Sequence, residues 1–171
     1  MNDIVKNIGW FIGLILFQVF IIDAIDLGTY SNYFSPLLFS YFILKLKLDS
    51  NVFVVLVLSF LLGMGIDIFR DTLGLNAAAL VAVAFLRKYF LSIISEREDF
   101  DSMMELDFFN LGLVRYLIYF GLGILTHHFI FVLLEQFSFN SFFFLLYQSV
   151  INTLIALFIL FFIQYLVIKK K

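Results

Sequence analysis

The chain has 171 residues, of which 63% are hydrophobic, 20% aromatic and only 14% charged, with 25 Phe and a single Pro. Soluble domains run near 45–50% apolar and about 25% charged, so with a mean hydropathy of +1.06 the chain reads as an all-α integral membrane protein. It has no Cys, which excludes disulfides, thiolate metal sites and cysteine nucleophiles, and its net charge of −2 with dispersed Lys and Arg leaves no basic stripe for nucleic acid.

In chain order, Met1 to Lys6 leads straight into an apolar run without a small-residue cleavage site, the pattern of a retained first span at 8–25. A second, short run covers 34–46 and is too short to cross about 30 Å of hydrocarbon as a plain helix, so it is expected to be tilted, broken or shielded. A third span is predicted at 52–69. The turn Asp71-Thr72-Leu73-Gly74-Leu75-Asn76 leads to a fourth at 76–94. An acidic connection at 95–107 follows, with Ser102 and Glu105 at capping-box spacing, before spans at 108–134 and 139–168. The expected architecture is a single domain with six transmembrane helices.

Charge bias gives the orientation. With both ends cytoplasmic, the inner side collects Lys6, Lys45, Lys47, Arg87, Lys88, Arg97, Arg115, Lys169, Lys170 and Lys171, and the outer side only Arg70. The outer connections hold Asp23, Asp26, Asp67, Asp71 and Glu135 instead.

The densest polar cluster lies at the end of the third span. On a helix Gly63, Asp67 and Asp71 recur at i+4 with Arg70 three residues from Asp67, which predicts an Asp67–Arg70 ion pair on one face. Gly63-x3-Asp67-x3-Asp71 is similar to half of the metal motif of CDP-alcohol phosphatidyltransferases. The upstream Asp-x2-Asp-Gly-x2-Ala-Arg half is missing from Lys45 to Val54, so no metal, cofactor or catalytic residue is expected. Asn76 is a candidate N-cap, and Gly74, Ala78 and Ala82 fall at small-xxx-small spacing for close helix packing, as do Gly9 and Gly13 on the first span. Gln18 in the first span and Gln148, Ser149, Asn152 and Thr153 in the last are intramembrane polar groups, expected to bond between helices or line a pocket. His127 and His128 have no carboxylate at metal-ligand spacing, and Phe142-Phe143-Phe144 fits an interfacial aromatic belt.

The length, the six spans, Gly63-x3-Asp67-x3-Asp71, the following Gly74-Leu75-Asn76-Ala77 and the Pro36 entry to the second span together resemble the MreD family of bacterial rod shape-determining proteins. The run from Gly74 to Arg87 looks like Bacteroidetes members of that family. The resemblance implies a non-enzymatic, multi-pass component of the bacterial inner membrane, working in the cell-elongation (rod) complex that directs peptidoglycan synthesis and cell shape. It further implies MreC-like, RodA-type glycosyltransferase, transpeptidase and MreB partners besides membrane lipid, and a six-helix fold similar to the S components of energy-coupling-factor transporters, with an outward pocket near Asp67, Arg70, Asp71 and Asn76. The shared fold keeps a second class open: a substrate-binding transporter subunit, whose ATP-driven step would need another chain because no Walker A sequence occurs.

Overall fold

The computed structural model describes residues 3–25, 34–94, 106–137 and 142–168. The acidic connection 95–105 with its Ser102 and Glu105, and the terminal lysines, lie outside the described residues. The described chain is helical, with α1 at Asp3–Phe17 continuing into a π-helical turn at Gln18–Ile22, α2 at Ser40–Lys45, α3 at Val52–Arg70 and α4 at Leu75–Ile94. It ends with α5 at Phe108–Leu111, α6 at Leu113–Gln136 and α7 at Phe142–Ile168. Four helices, α3, α4, α6 and α7, are long and apolar enough to cross a membrane, and a shorter apolar run covers Asn7–Ile22.

The long helices form a row in which α4 touches α3 and α6, and α6 touches α7; α1 lies against α3. The short α2 is at the centre, in contact with α1, α3, α4 and α6, and every residue from Pro36 to Lys45 is buried. The second predicted span is therefore not a continuous helix. No residue from Phe34 to Leu38 is helical, and regular structure begins only at Ser40. Pro36 supplies the local reason, since it cannot donate to a helix and disfavours helical backbone in the residue before it. An extended stretch also gains about 3.3 Å per residue against 1.5 Å for a helix, so a short run covers more depth.

The remaining boundaries shift for similar local reasons. The fifth expected span is interrupted at Gly112, whose φ of 73° ends α5 before α6 starts. Asp107 caps α5, its side chain accepting from the Asn110 N–H at 2.9 Å. In the first span the π-turn closes with the Asp23 N–H donating to the Gln18 carbonyl at 2.9 Å, and the Gln18 side chain is fully buried.

Two glycines permit close approaches. A Cβ on Gly63 would collide with the backbone of Ala77, so this residue lets the first turn of α4 press onto α3. A Cβ on Gly123 would strike the Leu44 side chain, so this one seats α2 against α6. Gly9 and Gly13 are exposed with nothing near them, so the small-residue face of α1 packs against no part of the described chain. Gly63→Ala should accordingly cost about 1–3 kcal/mol by overpacking, whereas Gly9→Ala should leave stability unchanged. Thermal unfolding of both variants in detergent measures this, and equal melting temperatures would contradict the assigned contact.

Candidate functional site

Backbone polar groups buried in an apolar bundle need partners, and the Phe34–Leu38 stretch has no helical ladder to supply them. Side chains from three helices do so. The Ser35 N–H donates to Asn152 Oδ1 of α7 at 2.9 Å, the Leu37 N–H to His128 Nε2 of α6 at 3.0 Å and the Leu38 N–H to Gln18 Oε1 at 3.0 Å. Gln18 Nε2 returns a bond to the Pro36 carbonyl at 3.2 Å and reaches Asp23 at 2.9 Å. Pro36 itself has no N–H to satisfy. His128 Nδ1 lies 2.9 Å from the Ile124 carbonyl, so with Nε2 accepting, the ring is neutral with its proton on Nδ1.

The other end of the segment is met in the same way. Tyr119 donates to the Leu44 carbonyl at 2.9 Å, and the buried Arg87 bonds Tyr119 at 3.1 Å and the carbonyls of Leu46 and Lys47 just past α2. A guanidinium on the last carbonyls of a helix is favourably placed against its dipole.

The cluster at the end of α3 resolves into two separate devices. Arg70 pairs with Asp23, not with Asp67: its Nε lies 3.0 Å from Asp23 Oδ2, and its Nη2 bonds Asp23 Oδ1 at 3.1 Å and Ser35 Oγ at 2.8 Å. The expected Asp67–Arg70 pair is thereby corrected. Asp67 instead turns to the N-terminus of α4, where helical N–H groups lack intrahelical partners and a carboxylate is favoured. Its Oδ1 accepts from the Asn76 N–H at 3.0 Å, from Asn76 Nδ2 at 2.8 Å and from the Thr72 hydroxyl, and its Oδ2 accepts from the Ala77 N–H at 2.9 Å. Asn76 is therefore not the N-cap that its position after the turn predicts; it is a donor to the cap. Asp71 is exposed in the left-handed region, closing α3, and Leu73 and Gly74 are left-handed as well. Each member of Gly63-x3-Asp67-x3-Asp71 thus has a structural task in joining α3 to α4. The four donors on Asp67 come from the chain itself, at the residue that the phosphatidyltransferase likeness would assign to a metal.

A cavity of about 900 Å³ opens at this end of the bundle, within the size range of small-molecule sites. Arg70, Thr72, Gln148 and Asn152 line it, whereas Asp67, Asp71 and Asn76 do not. His128 and Glu135 also line it, in addition to the polar residues expected of a pocket. Their signal was present in the pattern, since Phe131 and Glu135 recur at i+4 and His128 lies one turn before Phe131 and Val132 on α6. Gly74 and Ala82 are half-buried and Ala78 is exposed, so this trio does not form the main contact of α4 with the rest of the described chain; the buried Ala77 and Ala79 take that place.

No protein-family model matches the chain, and no curated protein or solved structure is significantly similar to it.

Two outcomes follow from these bonds. In a double-mutant cycle Asp23→Asn and Arg70→Gln should couple by about 0.5–3 kcal/mol, more strongly than Asp67→Asn couples with Arg70→Gln; the reverse order in unfolding measurements would contradict the pairing. His128→Phe should cost about 1–3 kcal/mol by leaving the Leu37 N–H without an acceptor. His127→Phe should be tolerated, because neither ring nitrogen of His127 has a hydrogen-bond partner among the described residues and the ring packs edge-on to Phe39. Equal losses for the two histidines would overturn this assignment.

Proposed function

We propose that the protein is a non-enzymatic scaffold of the bacterial inner membrane, similar in role to MreD proteins, which binds a single-span partner of the MreC kind within the cell-elongation machinery. RodA-type synthase, transpeptidase and MreB are its wider company in this proposal. The outward side of α4 supports it. Ala78 is exposed between the half-buried Gly74 and Ala82, and Phe85 and Tyr89 continue the same face, each 62% exposed. Small residues on a lipid-facing helix let another backbone approach, and the aromatic pair one to two turns further on supplies packing area.

In this proposal the chain crosses the membrane six times, the Phe34–Lys45 segment being one crossing, with both ends cytoplasmic. The Arg87 end of the bundle is then the inner end and the Arg70 end the outer one, in line with the distribution of basic residues. The cavity favours a second reading, a ligand-binding subunit like the S components of energy-coupling-factor transporters, because its size and mixed polar and aromatic lining suit a small molecule.

Ala78→Leu should abolish co-purification of a single-span partner while leaving the yield of folded protein unchanged. Ala79→Leu should instead lower the yield, since Ala79 is fully buried, and leave the partner ratio per folded molecule intact. An unaltered partner ratio in Ala78→Leu would contradict the scaffold face. For orientation, the cysteine-free chain allows single-cysteine labelling in intact cells: Leu73→Cys, at a position 96% exposed, should react with an impermeant reagent and Asp49→Cys should not. The opposite pattern would invert the topology.

A further inference from the structure

The charges around the cavity at the Arg70 end select what it can hold. Arg70 is the one cation among its described lining residues: Nε and Nη2 are on Asp23, Nη2 also bonds Ser35, its guanidinium carbon lies 5.8 Å from the centre of the Phe131 ring, and Nη1 is buried without a hydrogen-bond partner among the described residues. An incoming anion would reach Nε and Nη2 only by displacing Asp23, and the unpartnered Nη1 is closed off from the cavity space by its burial. His128, neutral and bonded at both nitrogens, offers no charge either.

Glu135 is different. It lines the cavity from the last turn of α6, is exposed, and makes no hydrogen bond or ion pair among the described residues. Arg70 also attracts Glu135 at a distance, but with Asp23 and Glu135 set against one guanidinium the described lining carries a net charge of −1. The walls around it include four phenylalanines, Phe34, Phe69, Phe131 and Phe144. Aromatic faces attract cations, and a carboxylate beside them supplies a charge-assisted hydrogen-bond acceptor.

We infer that this cavity binds a monocationic amine with an apolar body, its ammonium group held by the Glu135 carboxylate and its body against the phenylalanine walls. The inference goes beyond the scaffold proposal and does not depend on it. An amine of this kind would reach the site as a free solute or as the ethanolamine headgroup of a lipid.

The test uses the full chain in phosphatidylcholine nanodiscs and three probes of one shape: phenethylamine, neutral 2-phenylethanol and anionic 3-phenylpropionate. Calorimetric titration should give saturable binding for phenethylamine above that of empty nanodiscs, at least about tenfold tighter than for the other two. Glu135→Gln should weaken the amine by a similar factor and Glu135→Asp should retain most of it. Because Glu135 is exposed, both variants keep the fold, which their melting temperatures verify. In nanodiscs containing phosphatidylethanolamine, weaker phenethylamine binding identifies the headgroup as the competing occupant, and unchanged binding identifies a soluble amine; either supports the site. Absence of saturable amine binding, equal or tighter binding of the anion, or indifference to Glu135→Gln would overturn it.

Discussion

A peptide group without a hydrogen-bond partner in hydrocarbon costs several kcal/mol, and this bundle places a non-helical stretch at its centre. The polar side chains of the apolar helices follow from that fact. Gln18 would be an expensive residue in the first span if it faced lipid; here its amide serves both a donor and an acceptor of the stretch at once. Asn152 and His128 take the two remaining N–H groups between Ser35 and Leu38, and Pro36 removes the need for one more partner. The π-turn in the first helix is part of the same arrangement, since it contains Gln18 and is followed at once by Asp23, the partner of Arg70.

The turn between α3 and α4 is the second constraint, and it is independent of the first. Three left-handed residues within four positions, Asp71, Leu73 and Gly74, would make a weak joint alone, because left-handed backbone costs roughly 1–2 kcal/mol for residues other than glycine. The Asp67 carboxylate compensates by gathering Thr72, Asn76 and Ala77 around one charge, and Gly63 lets the helices come close enough for it to reach. Freed from Asp67, Arg70 is available to tie α3 to Asp23 and Ser35, which fixes one wall of the cavity.

Much of the helical layout was legible from hydropathy alone: the third, fourth and last helices fall within a few residues of their predicted limits. The short second run announced itself by its length and by Pro36. What a linear pattern does not carry is long-range pairing. At helical spacing Asp67 and Arg70 share a face, and nothing in that spacing reveals that Asp23, 47 residues before Arg70, is the closer carboxylate. The same holds for the interhelical role expected of Gln148 and Asn152: the side-chain Oδ1 of Asn152 bonds a backbone N–H of the unwound stretch, a partner that exists only because the stretch is unwound. The spacing of Gly74, Ala78 and Ala82 marks a small-residue face for packing or a partner but not which way it points; the register of α4, with Ala77 against Gly63, leaves Ala78 exposed.

One framework therefore links the unusual residues: side chains complete the bonding of a central unwound segment, and the ends of that completion form the wall of a cavity and leave a helix face open to the surroundings. Amide hydrogen exchange of the reconstituted protein, resolved at Ser35, Leu37 and Leu38, tests the central part most directly. Slow exchange at all three, comparable to the amide of the buried Leu62 within α3, with Gln18→Leu accelerating Leu38 far more than Ser35, is the result this bonding scheme requires. Exchange at these amides as fast as at the exposed Asp49 would contradict it.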